Sequence, residues 1–141
     1  MKLLVDTNII IDALTGREPF REAAEQIMLL AANQIEDMYI TAGSATDIYY
    51  LVRKHLHNTE QAKNAMTKLY QLFGILDVTA DDCQNALLSD IKDYEDAVIS
   101  CCAKRSKMDY IVTRNIKDYE KSKVKAVLPN DFIRFVSQSD V

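Results

Sequence analysis

The stretch Leu3-Leu4-Val5-Asp6-Thr7-Asn8 opens the chain with a short apolar run that ends at a carboxylate. An apolar run bounded by polar residues is typical of a buried strand, and Asp, Thr and Asn are residues that begin helices. The stretch therefore predicts a strand followed directly by a helix, with Asp6 at the joint. Ligands of open α/β sheets bind beyond the carboxyl ends of the strands, so Asp6 is either a helix cap or a site residue.

The overall composition is that of an ordinary globular chain. Its 141 residues suggest a single domain, 1–141, with enough mass for a hydrophobic core. The net charge of −4 argues against a nucleic-acid binder that relies on general basicity, but not against one that uses metal ions and a local basic strip. Three cysteines, two of them adjacent, do not suggest a disulfide framework and indicate a cytoplasmic location. The N-terminus does not have the pattern of a signal peptide, and no apolar run is long enough for a membrane span.

Strand-like and helix-like segments alternate along the chain, and glycine and proline are scarce. Predicted strands lie at 3–5, 38–41, 75–78 and 110–113, with a possible edge strand at 126–128. Predicted helices lie at 8–14, from Pro19, from Gly43 or Ser44, at 60–73 with Thr59 as the cap, from Thr79 or Ala80 to 89, from Asp93, and from Pro129 or Asn130, with a short helical piece at 116–119. This alternation predicts a mostly parallel sheet with helices on both faces and right-handed crossovers.

Polar residues with oxygen ligands follow several of the predicted strands. Those that lie just after a strand or in the first turn of a neighbouring helix are Asp6, Asp47, Asp96, Asn115 and Asp118. The carboxyl ends of parallel strands meet at one edge of a sheet, so these side chains converge if the first and fourth strands are neighbours. Hard oxygen ligands in a cluster suit Mg²⁺ or Mn²⁺.

Each of these acids, taken alone, also has a simpler interpretation as part of a helix start. Ser44 with Asp47 matches a capping box in which Asp replaces Glu. Asp93 is a suitable N-cap, and an acidic residue at Asp96 suits the positive end of the helix dipole. Capping and metal binding do not exclude one another, and the joint placement of the acids favours a site.

Three short motifs resemble the signature of the PIN-domain family. They are Leu4-Val5-Asp6-Thr7-Asn8, Asp96-Ala97-Val98-Ile99-Ser100, and Ile111-Val112-Thr113-Arg114-Asn115 with Asp118-Tyr119. The resemblance spans the chain in the right order and is closest to the small prokaryotic PIN proteins that include VapC-type toxins. It implies a PIN-like three-layer α/β/α sandwich with a mostly parallel central sheet of four to five strands.

The same resemblance implies a metal-dependent ribonuclease that uses Mg²⁺ or Mn²⁺. The residues implied as catalytic are Asp6, Asp47, Asp96 and Asp118, and those implied as metal ligands are Asp6, Asp96 and Asp118. Residues expected to support the ligands or to bind substrate are Thr7, Asn8, Thr113, Arg114 and Asn115. Asp47 stands where the family usually has Glu, and Asn115 stands where it often has Asp. Arg114 either contacts RNA phosphate or pairs with Asp118.

The partners implied by the resemblance are an RNA substrate, an antitoxin protein and a second copy of the chain. Two other functions stay open. A degenerate PIN domain that binds RNA or protein without cleaving would account for Asp47 and Asn115. A phospho-acceptor receiver-like domain would need an Asp at the end of the middle strand, and Asp77 is a poor candidate for it. The segment 117–125, with four lysines, is either a solvated loop or a basic strip for a partner.

Overall fold

The computed structural model describes residues 1–139 and contains one parallel sheet of five strands. The strands are β1 (Lys2–Val5), β2 (Asp37–Thr41), β3 (Gly74–Leu76), β4 (Tyr110–Val112) and β5 (Ala126–Val127). The helices are α1 (Thr7–Thr15), α2 (Arg21–Ala32), α3 (Ala42–Leu56), α4 (Thr59–Leu72), α5 (Ala80–Leu87), α6 (Tyr94–Arg105) and α7 (Pro129–Ser139), with a 3₁₀ helix at Ile116–Tyr119. The predicted end of the domain at residue 141 lies outside the described residues.

The strand order is β3-β2-β1-β4-β5, and every neighbouring pair is parallel. β1 is therefore the central strand, and the chain passes to β2 on one side of it and to β4 on the other. A crevice forms beyond the carboxyl ends of strands where the direction of winding reverses in this way. β1 pairs with β4, which is the condition under which the acids were expected to converge, and this pairing brings the end of β1 next to the end of β4.

Side chains along the strands alternate between two hydrophobic layers. Leu3 and Val5 belong to a core formed with α1, α2, α3, α4 and α7. Leu4 belongs to a second core formed with α6 and the 3₁₀ helix. Strands covered on both faces are apolar throughout, as the first run of the chain is. The three-layer α/β/α arrangement with a parallel sheet is confirmed.

Several element boundaries differ from the predictions for local reasons. Pro19 lies in the turn before α2, which begins at Arg21. Asn58, rather than Thr59, caps α4, because its side chain accepts a hydrogen bond of 2.9 Å from the backbone N–H of Gln61. β3 is shorter than predicted and begins one residue earlier, because its pairing with β2 ends where β2 ends. None of the helices within residues 1–139 is long and apolar enough to cross a membrane.

Candidate active site

Asp6 lies at the end of the central strand and serves both as a helix cap and as part of an acidic cluster. Its Oδ1 accepts a 2.8 Å hydrogen bond from the backbone N–H of Thr7, and its Oδ2 accepts one of 2.8 Å from the Thr113 hydroxyl. The side chain is only 4% exposed. Burial raises the pKa of Asp6 above its ordinary value, and the two hydrogen bonds offset only part of this effect. The charge of Arg114 lowers the same pKa, and the charge of Asp118 raises it.

A chain of hydroxyl groups joins the end of β1 to the end of β2. Thr7 Oγ1 donates to Ser44 Oγ at 2.7 Å, and Thr41 Oγ1 lies 2.9 Å from the same oxygen. Thr41 also accepts the backbone N–H of Ser44 at 3.0 Å and is the N-cap of α3. The predicted capping box of Ser44 with Asp47 is therefore wrong, because α3 begins directly after β2. Thr7 contributes to the site by holding the start of the helix that carries Asp47.

Asp96 lies in the first turn of α6, next to the capping residue Asp93. The Asp93 side chain accepts the backbone N–H of Asp96 at 3.0 Å, as the cap interpretation predicted. Oδ1 of Asp96 accepts a 3.1 Å hydrogen bond from the Tyr119 hydroxyl. Burial, and after it the charges of Asp6 and Asp93, raise the pKa of Asp96 to about 6, although the Tyr119 hydrogen bond opposes the change. Asp96 and Asp6 therefore lie within one electrostatic environment.

Glu95 belongs to the cluster although the sequence pattern did not single it out. Its carboxyl group, at the start of α6, is close enough to that of Asp47 on α3 for the two to interact. Partial desolvation, then the interaction with Asp47 and the charge of Asp6, raise the pKa of Glu95 to about 7.

The loop after β4 holds the remaining predicted residues beside the cluster. The Asn115 backbone N–H donates to Thr113 Oγ1 at 3.1 Å, and the Asp118 backbone N–H donates to the Asn115 carbonyl at 3.0 Å. The Asp118 side chain is exposed, and its charge contributes to the raised pKa values of Asp6 and Asp96. Asp118 is therefore near enough to the other two acids to act on them.

Arg114 pairs with Asp12 of α1 and not with Asp118. Its Nε lies 2.9 Å from Asp12 Oδ2, and its guanidinium carbon lies 4.0 Å from the centre of the Phe20 ring. Asp12 is fully buried. Its Oδ1 has no hydrogen-bond partner within residues 1–139, and Arg17 Nε forms a longer ion pair with this oxygen at 3.8 Å. The alternative pairing of Arg114 with Asp118 is therefore not formed. Arg114 instead anchors the loop after β4 to the first helix.

Three residues of this arrangement were not selected from the sequence, although each carried a signal. Glu95 adjoins Asp96, Tyr119 follows Asp118, and Asp12 interrupts an otherwise apolar helix face. An acidic side chain among buried apolar residues is rarely unpaired, so the position of Asp12 predicts a basic partner. Asn8, expected to support Asp6, lies in the first turn of α1, directly after Thr7, whose backbone N–H donates to Asp6.

The chemistry of the donor set fits a divalent cation that keeps part of its water shell. Within residues 1–139, no group of three or more His, Cys, Asp or Glu side chains is arranged to hold a metal ion by itself. Mg²⁺ is commonly bound by only one or two carboxylates, with water and substrate phosphate completing the shell. Burial first, and then the charges of neighbouring carboxylates, raise the pKa values of Asp6, Asp96 and Glu95, and a bound cation would favour their charged forms. Asp6 and Asp96, with Asp118 close by, therefore fit a hydrated Mg²⁺ or Mn²⁺.

Asp77, the candidate acceptor of a receiver-like domain, lies far from this arrangement in the sheet. It follows β3, which is an edge strand, and not the central strand β1. Its carbonyl oxygen accepts a 2.6 Å hydrogen bond from Arg105 Nη2. Asp77 therefore does not stand at the end of the central strand, where the acid is Asp6, and both carboxylate oxygens of Asp6 already accept hydrogen bonds.

Comparison with known proteins gives the following similarities. The profile of a family described as PIN domain matches residues 2–117. No curated protein shows significant similarity to the chain. A chain of VapBC2 from Rickettsia felis, bound to a promoter DNA fragment, has a TM-score of 0.67 and 20% identity. The match covers 91% of this chain and 98% of that one.

Two further solved structures share the fold. A chain of DNA-bound VapBC from Salmonella typhimurium has a TM-score of 0.68 and 17% identity, over 92% of this chain and 98% of that one. Mycobacterium tuberculosis VapC20, described as a toxin that cleaves the sarcin-ricin loop, has a TM-score of 0.60 and 14% identity, over 77% of this chain and 86% of that one. At these identities the likeness establishes a common fold.

Proposed function

Because the chain belongs to the PIN-domain family, we propose that it is a Mg²⁺- or Mn²⁺-dependent endoribonuclease and the toxin of a toxin–antitoxin pair. The observation that carries the proposal is the convergence of Asp6 and Asp96 on the segment after β4, where the Thr113 hydroxyl lies 2.8 Å from Asp6 Oδ2 and the Tyr119 hydroxyl lies 3.1 Å from Asp96 Oδ1. RNA is the proposed substrate because VapC20, which shares the fold, is described as cleaving an RNA loop.

Asp6, Asp96 and Asp118 are the proposed ligands of the cation. When bound, a divalent cation supplies Lewis acidity at the phosphodiester and a lower pKa for a coordinated water. The Thr113 hydroxyl, 2.8 Å from Asp6 Oδ2, fixes the orientation of that carboxylate. The Tyr119 hydroxyl does the same for Asp96, leaving its Oδ2 free for the cation.

The pair formed by Glu95 and Asp47 is the proposed acceptor of the proton from the attacking water. A general base works best when its pKa is near the pH of the reaction, and the pKa of Glu95 is about 7. The shorter Asp47 side chain, in place of the Glu that is usual in the family, is compensated in this proposal by Glu95. In this proposal Glu95 takes up the proton, and Asp47 contributes the negative charge beside it that raises the pKa of Glu95.

The proposed partners are an antitoxin protein and a second copy of the chain, in the cytoplasm. A solved structure that shares the fold, with a TM-score of 0.67 and 23% identity, is described as a toxin–antitoxin complex from Klebsiella pneumoniae. On α3 and α4 the Tyr50, Leu51 and Tyr70 side chains are 65%, 40% and 44% exposed, which supports a dimer face there. Light scattering of the purified chain measures the oligomeric state. Co-purification with the product of a neighbouring gene for a small DNA-binding protein tests the antitoxin.

A domain that binds RNA without cleaving it is the second candidate. The observation in its favour is that no three carboxylates within residues 1–139 are arranged around a metal site. It predicts RNA binding that needs no divalent cation and no product formation in Mg²⁺ or Mn²⁺.

Cleavage of a mixed RNA pool separates the two candidates. We expect wild-type protein to cleave in Mn²⁺ or Mg²⁺, EDTA to abolish cleavage, and the double variant Asp6→Asn with Asp96→Asn to be inactive. Circular dichroism shows whether the variant is folded, and calorimetric titration with Mn²⁺ measures cation binding independently of activity. A folded wild-type protein that leaves the RNA intact in both cations contradicts the nuclease proposal.

A further inference from the structure

A cavity of about 660 Å³ lies between α5, α6 and the segment that follows the 3₁₀ helix. Its size is within the range of roughly 300–1,000 Å³ that is usual for ligand sites. Three lysines, Lys104, Lys121 and Lys123, line it from α6 and from this segment. Two hydroxyl-bearing residues, Ser89 and Ser100, also line it. The cavity therefore offers cationic and hydrogen-bonding groups together.

The three lysines have no carboxylate partner within residues 1–139, because none of the ion pairs there involves them. No other lysine within residues 1–139 takes part in an ion pair either, so what distinguishes these three is their shared position around the cavity. The ammonium group of Lys123 lies beside that of Lys104 and lowers its pKa. Two ammonium groups held next to each other, without a carboxylate between them, leave a place for an anion.

The segment that carries Lys121 and Lys123 is attached to the protein on both sides. Between them, Ser122 Oγ lies 2.7 Å from Ser100 Oγ of α6 and accepts the backbone N–H of Val124 at 3.2 Å. Val124 is buried in the core that includes α6. The backbone that carries Lys121 and Lys123 is therefore held in place, whereas the two side chains are exposed, so ligand binding would cost side-chain entropy but little backbone entropy.

The opposite wall of the cavity is formed by α5 and is held in place by an ion pair. Arg105 Nη2 lies 3.0 Å from Asp82 Oδ2. Burial raises the pKa of Asp82, but the hydrogen bonds from Arg105 and Thr79 outweigh burial and hold the pKa at about 2. Arg105 is therefore committed to a structural role. Asp81 and Asp90 also line this wall and are exposed, so an anion would lie on the lysine side.

The distance between the cavity and the acidic cluster can be estimated along α6. Lys104 is eight residues after Asp96 on the same helix, about 12 Å along its axis at about 1.5 Å per residue. Stacked nucleotides advance about 3.4 Å each along a strand, so this distance spans roughly three to four nucleotides. Lys121 is three residues after Asp118. The cavity is thus within reach of an RNA strand that lies in the site.

We propose that this cavity binds a backbone phosphate of the RNA substrate, a few nucleotides from the scissile bond, through Lys104, Lys121 and Lys123. The inference rests on the proposed ribonuclease function for the identity of the anion. Phosphate contacts of this kind position a strand without reading its sequence. The site then extends RNA binding beyond the acidic cluster, which by its charge repels phosphate.

The experiment measures RNA binding separately from cleavage. Fluorescence anisotropy without divalent cations follows the binding of labelled oligouridylates from two to about eight nucleotides long at several salt concentrations. The variants are Lys104→Gln with Lys123→Gln, and Lys104→Arg with Lys123→Arg, which keeps the charge. Lys125→Gln is the matched control, since Lys125 is exposed in the same basic segment but does not line the cavity. Melting temperatures show that each variant is folded.

We expect wild-type affinity to rise with oligonucleotide length and the double Gln variant to lose about tenfold for the longest RNA. The slope of log Kd against log salt should fall by about 0.7 for the lost phosphate contact. The Arg variant and Lys125→Gln should bind as the wild type does. Equal binding by the double Gln variant, an equal loss with Lys125→Gln, or no RNA binding by the wild type overturns the inference.

Two further outcomes separate the sources of the anion and the two proposals. Protection of Lys104 and Lys123 from acetylation by RNA supports the inference, whereas protection by inorganic phosphate but not by RNA assigns the cavity to a free anion and overturns it. Binding that depends on these lysines, without any cleavage, contradicts the proposed nuclease and leaves the phosphate site standing. Cleavage of RNA by the wild type, with RNA binding and cleavage unchanged in the double Gln variant, supports the proposed nuclease and overturns the phosphate site.

Discussion

Arg114 Nε lies 2.9 Å from Oδ2 of the fully buried Asp12, and this ion pair joins the loop after β4 to α1. The two residues lie beside the candidate site, and the charge of Arg114 lowers the pKa of Asp6. Asp12 lies six residues after Asp6, and Arg114 directly follows Thr113, whose hydroxyl donates to Asp6. The pair therefore fixes the relative position of two segments that must meet for the carboxylates to converge.

We expect Asp12→Asn to destabilise the fold by about 3 kcal/mol, because it leaves a largely buried guanidinium without its counter-charge. Urea unfolding measures the free energy of unfolding. Asp131→Asn is the matched control, since the Asp131–Arg134 pair is exposed and should contribute no more than about 1 kcal/mol. Equal losses in the two variants would show that the Asp12 pair has no special structural role.

Thr113→Val should weaken Mn²⁺ binding about 10- to 100-fold, because Asp6 loses the hydroxyl that orients its carboxylate. Calorimetric titration measures the affinity, and Thr113→Ser should restore most of it. Thr15→Val is a suitable control, because the Thr15 hydroxyl donates only to the Ile11 carbonyl on the same helix. A Thr113→Val protein with wild-type affinity would exclude the proposed orienting role.

Tyr119→Phe should raise the pKa of Asp96 further, because the hydrogen bond from Tyr119 is what lowers it. The acidic limb of the pH–rate profile should then move to higher pH. Tyr94→Phe is the control, as the Tyr94 hydroxyl donates to the Cys83 carbonyl and has no contact with the acidic cluster. An unchanged profile for Tyr119→Phe would argue that Asp96 does not titrate during the reaction.

Glu95→Gln should lower the rate of RNA cleavage by about 100-fold if Glu95 with Asp47 accepts the proton of the attacking water. Wild-type cleavage should rise with pH through about 7, the pKa of Glu95, and this rise should be lost in the variant. Glu120→Gln, an exposed acid in the neighbouring segment, should cleave as the wild type does. Retention of both the rate and the pH dependence by Glu95→Gln would remove Glu95 from the mechanism.

The stability of the metal-free protein should decrease as the pH rises from about 4 to 7. In the folded state the pKa values of Asp96 and Glu95 are raised to about 6 and about 7 from ordinary values of 3.8 and 4.5. The folded state therefore binds more protons than the unfolded state in this interval, and stability is lost as these protons leave. Mn²⁺ should restore it at pH 8, as measured by melting temperature with and without EDTA.

Asp82 should act in the opposite direction at lower pH. Its pKa is held at about 2, below the ordinary 3.8, so its contribution is present above pH 4 and is lost as the pH falls towards 2. If the melting temperature of the metal-free protein rises steadily from pH 4 to pH 7, the raised pKa values of Asp96 and Glu95 are contradicted.

Local patterns in the sequence were sufficient to predict the alternation of strands and helices. The run Leu3-Leu4-Val5 predicted a strand covered on both faces, and Asp93 predicted the start of α6, because both signals depend on residues adjacent in the chain. Caps were less certain where several candidates stood together. Thr41 and Asn58, rather than Ser44 and Thr59, have the backbone geometry that lets the side chain reach an N–H three residues on.

The order of the acids along the chain was enough to place Asp6, Asp96 and Asp118 at one edge of a parallel sheet, because parallel crossovers bring all strand ends to the same side. Tertiary structure alone decided which groups hold them there. Tyr119 donates to Asp96, Glu95 lies close enough to Asp47 for their carboxyl groups to interact, and Arg114 pairs with Asp12 instead of Asp118. These partners lie 23, 48 and 102 residues apart, and side-chain contacts at such separations depend on how the layers pack rather than on any local pattern.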